Sequence, residues 1–404
     1  MHHIAITSMT GGRNRGCEAL VTSILLGLES VIPRGDLSID LHTRDVDYDR
    51  DFFAGRVNKV LPDRASRRVD KWSPELQRRW YALLKHGPAR IAGRRISPSL
   101  GKADLIIATG GDVFTSDYGD AMRHGHILQI GKPVALLAQT IGPFNEATEH
   151  YFRRSMENVA ICTVRESESL RYLQSLIPDV RVEQTADVAF LLPVTPPEEA
   201  RHILEVEHHF PIAGRRLVAL SVSSGILSFR ADVNALAYIS EVAAFIDGLN
   251  ADGFSVILVP HVQERRARNN DVFACRAVLG SCHDPKANLL LSMPTLSASD
   301  YKGIIGLCEA LVGARTHATI ASMSQGLPTV SVAYSRKAWG IMRDYYGEKL
   351  GQALTVDVAD LDRERLREAF DKALGNGRTP HLAEEMKRRA MLNFKRVKDY
   401  LAEA

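Results

Sequence analysis

The sequence has few cysteines and lacks any long apolar run. Its five cysteines include no Cys-x-x-Cys pair, so neither a disulfide framework nor a common zinc motif is expected. No stretch reaches the roughly 20 apolar residues that a membrane-spanning helix needs, and the opening residues lack the pattern of a signal peptide. These absences predict a cytoplasmic protein, and they leave open a contact with the inner face of the membrane.

A strong excess of one charge is also missing. The chain has 51 Lys and Arg against 48 Asp and Glu, which gives no reason to expect nucleic acid as a partner. One segment, 64–95, departs from this balance, with ten basic residues, two acidic ones and interleaved aromatics. Two interpretations stay open for it: a peripheral contact with anionic lipid, or a solvated helical insertion.

Short β-rich runs alternate with segments of helical spacing along the whole chain. Examples of the runs are ADLIIATGG, KPVALLAQTIGP, FSVILVPHV and LPTVSVAY. This alternation predicts an α/β fold with parallel sheets buried on both faces. The Pro-rich stretch PVTPPEE interrupts the pattern, so we predict a Rossmann-like domain at 1–192, a second at 198–375, and a C-terminal helix at 376–404 that packs back on the first.

Ligands of such sheets bind at the carboxyl ends of the strands, so strand ends supply the candidate site residues. Gly110 and Gly111 follow one strand and let a backbone approach a ligand closely, although Gly-rich turns are often structural only. Asp112 comes next and either accepts a proton from a hydroxyl or marks a turn. Asn14 in the loop GGRNRG and Gln139 in AQTIGPF complete this group.

The cationic strand ends point to an anionic ligand. Arg315 and His317 end one strand and begin a helix, where a guanidinium, an imidazole and helix amides suit a multiply charged group. Arg165 ends another strand and has two alternatives, an anion contact or an ion pair with Glu166, Glu168 or Asp187. Lys337 follows a later strand, and His261 contacts either substrate or the start of the following helix.

Taken in order, these loops resemble those of the polysaccharide pyruvyl transferase family. The matching stretches are GGRNRGCEA, ATGGDVF, AQTIGPF, VRESESLRYL, TADVAFLL, VPH and GARTHATIASMSQGLPTVSVAYSRKAWG. The resemblance implies two Rossmann-like domains in a glycosyltransferase-B-like arrangement with an inter-domain cleft. It also implies transfer of the enolpyruvyl group of phosphoenolpyruvate to two hydroxyls of a sugar, which forms a pyruvate ketal and releases phosphate.

Three departures from the family pattern concern the site. The usual Arg-Leu-His is Arg315-Thr316-His317, which keeps both polar residues. A run of three glycines is reduced to Gly110-Gly111-Asp112, and the glycine expected before Gln139 is Ala138. These changes leave the fold as implied but make the choice of acceptor harder to predict.

The resemblance and the chemistry together suggest a role for each candidate. Arg315, Arg165 and Lys337 would bind the donor, His317 would protonate its methylene carbon, and Asp112 would take a hydroxyl proton. We place the remaining candidates at the acceptor or in the cleft: Asn14, Gly110, Gly111, Gln139 and His261.

We expect phosphoenolpyruvate as co-substrate, a lipid-linked or polymeric glycan as acceptor, and neither a metal nor a resident cofactor. Two alternatives remain. The first is a nucleotide-sugar glycosyltransferase of the same architecture, in which Arg315 and Lys337 would hold the diphosphate. The second is a glycan-binding protein with a decayed site.

Overall fold

The structure, a computed structural model, describes residues 1–63, 98–115, 124–230 and 232–403. The chain divides into two compact units. The first comprises Met1–Gly12, Leu20–Val188 and Arg388–Ala404, and the second comprises Arg13–Ala19 and Ala189–Lys387. Arg13–Ala19 therefore groups with the second unit, although it lies inside the range 1–192 predicted for the first domain. The basic segment 64–95 lies outside the described residues.

The first unit is built on a parallel sheet. In the part of the chain that the structure describes, its strands run in the order β3-β2-β1-β4-β6-β7-β8, and β5 pairs with β6. Their bounds are β1 His2–Thr7, β2 Leu37–Thr43, β3 Lys59–Pro62, β4 Leu105–Ala108, β5 Gly111–Phe114, β6 Val134–Ile141, β7 Val159–Val164 and β8 Glu183–Gln184.

The second unit has a parallel sheet of its own, in the order β11-β10-β9-β12-β13-β14 across the described strands. Numbered within the unit, this is the order 3-2-1-4-5-6 of a dinucleotide-binding Rossmann fold. The bounds are β9 Arg216–Ser221, β10 Phe254–Leu258, β11 Leu289–Leu290, β12 Ala310–Gly313, β13 Thr329–Ala333 and β14 Thr355–Asp357.

Helices connect the strands throughout the described residues. Their bounds are Arg15–Val31, Val46–Phe52, Glu146–Ser155, Ser167–Leu176, Pro197–His202, Ser224–Phe229, Ala235–Ala251, Asp271–Gly280, Ala298–Gly306, Thr316–Met323, Arg336–Tyr346, Glu348–Ala353, Arg363–Asn376 and Pro380–Glu403.

The strands are apolar because helices cover both faces of each sheet. Every residue of β6, Val134–Ile141, is buried, and so is every residue of β10, Phe254–Leu258. Alternation of polar and apolar residues would instead indicate a sheet with one solvated face. The prediction of an α/β chain with two parallel, Rossmann-like sheets is confirmed.

Each sheet has a point where the chain reverses the direction in which it adds strands. That point lies between β1 and β4 in the first sheet and between β9 and β12 in the second. The connections that follow the two strands at this point run in opposite directions along the sheet. In this fold class a crevice lies between them, at the carboxyl ends of the two strands. The sequence candidates Gly110 and Gly111 follow β4, and Arg315 and His317 follow β12.

The end of the last helix, Pro380–Glu403, belongs to the first unit. Its buried Asn393 accepts hydrogen bonds from the hydroxyls of Thr163, at 2.5 Å, and Thr185, at 3.0 Å, and donates to the Ala186 carbonyl at 3.2 Å. Arg396 also pairs with Glu183 through two hydrogen bonds. Polar side chains thus fix the helix against β7 and β8.

The length and the composition of the described helices decide whether one of them could cross a lipid bilayer. Among them, none combines the length and the apolar composition that crossing a bilayer requires.

We predict that Asn393→Ala destabilises the first unit. The change removes hydrogen bonds made by buried groups, a loss of about 2 to 4 kcal/mol. Thermal unfolding of the full chain, followed by circular dichroism, measures it. Lys398→Ala, at an exposed position of the same helix, is the control and should shift the midpoint little. Equal midpoints for the two variants would contradict this account of the helix.

Candidate functional site

The reversal point of the second sheet brings several sequence candidates to one edge. Ser221 of β9 lies in register with Gly313 of β12, and Gly313 with Ser331 of β13. The three strands therefore end side by side, at a spacing of roughly 4.8 Å between neighbours. Arg315 and His317 follow β12, and Lys337 follows β13.

Arg315 is held in one orientation by a buried carboxylate. Its Nε lies 2.9 Å from Oδ2 of Asp271 and its Nη2 lies 2.6 Å from Oδ1. Asp271 is fully buried, whereas 15% of the Arg315 side chain is exposed. This bidentate pair fixes the plane of the guanidinium, which a single contact would leave free to rotate.

Asp271 also accepts hydrogen bonds from two backbone amides. Ser224 N donates to Oδ1 at 2.9 Å, and Val262 N donates to Oδ2 at 3.0 Å. Ser224 follows β9 and Val262 follows β10, so one carboxylate joins the ends of three adjacent strands. Sequence reasoning missed Asp271, because an acidic residue at the start of a helix has the ordinary appearance of a helix-end charge.

The imidazole of His317 packs against the backbone of Gly16. A Cβ atom added at Gly16 would lie 2.3 Å from His317 Nδ1 and 2.9 Å from Cγ. His317 is the second residue of the helix Thr316–Met323, whose N-cap Arg315 makes no side-chain capping bond. The start of this helix therefore has no acceptor from its own N-cap side chain.

His261 differs from His317 in its surroundings. It is buried, and its ring makes an edge-to-face contact with Tyr301 at 5.4 Å between centroids. Burial, with smaller contributions from the neighbouring His317 and Arg315, lowers the pKa of His261 to about 3. A histidine that stays neutral near pH 7 is a poor proton donor, so of these two histidines His317 is the better candidate acid.

Asn14 lies at the same edge of the second sheet as Val262, which follows β10. The segment Arg13–Ala19 that contains Asn14 is part of the second unit. Asn14 forms an isolated antiparallel bridge with Val262. Its side-chain oxygen accepts a hydrogen bond from Gly16 N at 3.0 Å. The loop GGRNRG therefore brings Asn14 and Gly16 to the surroundings of His317, which its place in the sequence did not indicate.

Lys337 lies in the first turn of the helix Arg336–Tyr346 and is buried. Its Nζ lies 5.8 Å from the centre of the Tyr334 ring. The N-cap of this helix, Ser335, makes no side-chain capping bond, and its hydroxyl has no hydrogen-bond partner in the described part of the chain. Two helix starts without a side-chain cap, after β12 and β13, thus lie at neighbouring strand ends.

The candidate residues of the first unit lie near the reversal point of its own sheet. Gln139 is fully buried, and its Nε2 donates to the carbonyls of Ala108, at 3.3 Å, and Thr109, at 2.5 Å. A Cβ at Gly110 would lie 3.1 Å from the Leu137 carbonyl oxygen, and Gly111 has φ +105°. Gly111 is thus required by its backbone conformation, Gly110 is tightly packed, and Gln139 fixes the loop that carries them.

Arg165 and Asp112 lie in the same unit. Arg165 Nη1 is 2.6 Å from Asp187 Oδ2 and its Nε donates to Thr140 Oγ1 at 2.8 Å, with both charged side chains buried. Burial alone would lower the pKa of Arg165, but Asp187 and then Asp112 raise it above its usual value. The ion pair is one of the two sequence alternatives, and donor binding by Arg165 stays a prediction.

Ala138 has a backbone conformation that glycine adopts more readily than alanine. Its φ is +48°, in the left-handed region where a Cβ atom is unfavourable. The neighbouring strand supports this backbone, because Thr163 Oγ1 accepts a hydrogen bond from Ala138 N at 2.8 Å. The departure from the family pattern is therefore local to the backbone beside Gln139.

In the described ranges, no group of three His, Cys, Asp or Glu side chains has a geometry that would hold a metal ion.

The sequence matches a protein-family model and has curated relatives. The model of a family described as polysaccharide pyruvyl transferase matches residues 14–336. Amylovoran biosynthesis protein AmsJ from Erwinia amylovora is 23% identical over 353 residues, which cover 82% of this chain and 83% of that protein.

Solved structures share the fold at low sequence identity. The UDP-GlcNAc 2-epimerase of Methanocaldococcus jannaschii has a TM-score of 0.60 at 11% identity, and the match covers 100% of both chains. MnaA of S. aureus, in a co-structure with UDP, has the same TM-score and identity and is covered over 97% of its length. At this identity the likeness concerns the fold alone.

We predict that His261→Phe weakens the pH dependence of stability. Below about pH 6.5 the unfolded imidazole takes up a proton that the folded one, with a pKa of about 3, does not. Folding therefore loses stability as the pH falls, by about 2 kcal/mol between pH 7 and pH 5. Phenylalanine cannot titrate, and it retains a ring against Tyr301.

The measurement is the free energy of unfolding at both pH values, compared between the variant and the original chain. If the altered packing changes the free energy of unfolding by the same amount at both pH values, that change cancels in this comparison. The exposed His381, changed to Phe, is the control. Identical pH slopes for His261→Phe and the original chain would mean that His261 is not held neutral.

Proposed function

This chain belongs to the polysaccharide pyruvyl transferase family, and we propose that its donor is phosphoenolpyruvate. In this proposal the enolpyruvyl group moves to two hydroxyls of one sugar, a pyruvate ketal forms, and phosphate is released. The acceptor is a polysaccharide or a lipid-linked glycan precursor. The observation that carries the proposal is the Arg315 guanidinium, oriented by Asp271, beside His317 at the reversal point of the second sheet.

Phosphoenolpyruvate carries a carboxylate and a phosphate, with roughly three negative charges near neutral pH. The Arg315–Asp271 pair is neutral as a whole, so Arg315 acts as a directional hydrogen-bond donor more than as net positive charge. The starts of the helices Thr316–Met323 and Arg336–Tyr346 add partial positive charge. Lys337 adds a full charge in this proposal, and Arg165, which shares its charge with Asp187, adds less.

The first chemical step is the transfer of a proton from His317 to C3 of the donor. The electron pair of the C2–C3 double bond forms the new C–H bond, and C2 becomes an oxocarbenium-like centre conjugated with its phosphate-ester oxygen. Because Gly16 lies at the Nδ1 edge of the ring, we assign the transfer to Nε2 on the opposite edge. An imidazole suits this step because its usual pKa lies close to neutral pH.

A sugar hydroxyl then attacks C2 and gives up its proton, for which we propose Asp112 as the acceptor. The bond from C2 to the phosphate oxygen breaks, and phosphate leaves. A second hydroxyl closes the ketal ring. Of the two hydroxyl protons, one replaces the proton that His317 gave to C3, and the other leaves with phosphate, so the enzyme returns to its starting state.

The family description supports a glycan acceptor, and the Erwinia amylovora relative is named for the biosynthesis of amylovoran. Gly110, Gly111 and Gln139, at the reversal point of the first sheet, are proposed to shape the acceptor side together with Asp112. Asn14 and His261 are proposed to support the donor side, since both lie in the second unit. Contact of segment 64–95 with lipid remains part of the proposal.

The test measures phosphate release from phosphoenolpyruvate with a lipid-linked glycan extract, for the original chain, His317→Gln and Arg315→Lys. We predict that His317→Gln lowers kcat by about 10² to 10⁴ and leaves the KM for phosphoenolpyruvate nearly unchanged. Arg315→Lys keeps the charge but loses the fork geometry, so it should mainly raise that KM. Lysine is preferred to alanine because an unpaired buried Asp271 would cost about 3 to 5 kcal/mol of stability.

Arg343→Lys is a matched control, because Arg343 lies at the far end of the helix Arg336–Tyr346. This substitution should leave kcat and the KM for phosphoenolpyruvate unchanged. Absence of phosphate release, together with binding of a nucleotide sugar, would overturn the proposal in favour of a glycosyltransferase. Equal KM increases in both variants would show that His317 binds the donor without protonating it.

A further inference from the structure

Gly16 approaches His317 more closely than any other residue type could. The virtual Cβ of Gly16, 2.3 Å from Nδ1 of the imidazole, is far inside the contact distance of real carbon and nitrogen atoms. Gly16 lies in the first turn of the helix Arg15–Val31, where its negative φ places no demand for glycine. Its lack of a side chain therefore serves the contact with His317.

The segment that carries Gly16 is anchored to the second unit on both sides. Arg15 N donates to the His261 carbonyl at 2.8 Å, and Gln263 N donates to the Arg13 carbonyl at 3.0 Å. The buried guanidinium of Arg15 pairs with Glu18 at 2.8 Å and donates to the Pro294 carbonyl at 2.7 Å.

Glu18 extends this anchoring to a further helix. Its second oxygen accepts a hydrogen bond from Ala298 N at 2.6 Å. The backbone at Gly16 is thus as firmly held as the strand ends around it. A rigid surface at this point can fix the ring that rests on it, because close-packed interiors yield little to displacement.

We infer that Gly16 is a positioning residue for His317, and that the segment Arg13–Ala19 fixes the imidazole for proton transfer. The Gly16 backbone packs against the Nδ1 edge of the His317 ring, so Nε2 lies on the opposite side of the ring. The side-chain oxygen of Asn14 would lie 3.1 Å from the same virtual Cβ, so it borders the same edge. This inference rests on the proposed role of His317 as the acid.

The activity test is Gly16→Ala in the full chain. A methyl group displaces the ring, and a displacement of about 1 Å in a reacting group costs up to about a hundredfold in rate. We expect kcat to fall by about tenfold to a hundredfold, with little change in the KM for phosphoenolpyruvate. A purely structural role would lower the folded fraction and leave kcat per folded molecule unchanged.

The same helix offers a matched control. A Cβ at Gly27 would lie 2.2 Å from the ring of Phe394, in the first unit. Gly27→Ala therefore places the same methyl group against another buried ring. It should lower the unfolding temperature and leave kcat and KM as they are. A loss of kcat in Gly27→Ala equal to that in Gly16→Ala would overturn the inference.

A double-mutant cycle tests the contact without any assay of activity. Gly16→Ala should lower the unfolding temperature in the original chain but not in a His317→Ala background, where the ring is gone. The effect of Gly27→Ala should be the same in both backgrounds. If Gly16→Ala alone fails to fold, recovery of folding in the double variant supports the contact, and failure of both variants contradicts it.

The outcomes separate this inference from the proposed function. Full turnover in His317→Gln would remove the acid role of His317 and with it this inference, whereas only absence of phosphate release from phosphoenolpyruvate in the original chain would overturn the proposed function. Loss of turnover in His317→Gln, together with unchanged kcat in Gly16→Ala, would overturn the positioning role alone.

Discussion

The ion pair between Arg315 and Asp271 is the interaction on which the edge of the second sheet depends. The buried carboxylate holds the amides of Ser224 and Val262 as well as the guanidinium, so it ties together the loops after β9, β10 and β12. Removing either partner would leave a charge buried without compensation, which is costly in a protein interior. The same contacts that stabilise the edge of the sheet therefore orient the Arg315 guanidinium, the proposed anion contact.

The first unit uses a similar arrangement. Arg165, after β7, pairs with Asp187, which follows β8, and both side chains are buried. In each sheet an arginine at a strand end thus keeps its charge in the interior because a carboxylate from a neighbouring connection faces it. Such pairs supply directional hydrogen-bond donors without a large net charge, and in the proposed function the helix starts and Lys337 provide the additional positive potential for phosphoenolpyruvate.

The sequence was sufficient to predict the two parallel sheets, because their strands are continuous apolar runs between helical segments. It also predicted Arg315 and His317 as site candidates, since residues after a strand and before a helix lie at the ligand-binding edge in this fold class, and their roles stay predictions. It did not identify Asp271 or Gly16 as partners of these residues. Both contacts join positions far apart in the chain, and neither leaves a local pattern: Asp271 resembles a helix-end acid, and Gly16 resembles a turn glycine. The assignment of Arg13–Ala19 to the second unit likewise depends on long-range pairing with Val262 and Gln263.

The most direct test of the account is a crystal structure of the His317→Gln variant with phosphoenolpyruvate bound. The account predicts the ligand at the carboxyl ends of β9 and β12, with an anionic oxygen about 2.8 Å from the Arg315 guanidinium. It also predicts that C3 faces the side chain at position 317, on the side away from Gly16. Phosphoenolpyruvate bound elsewhere in the chain, with Arg315 and Asp271 making no contact to it, would contradict the account.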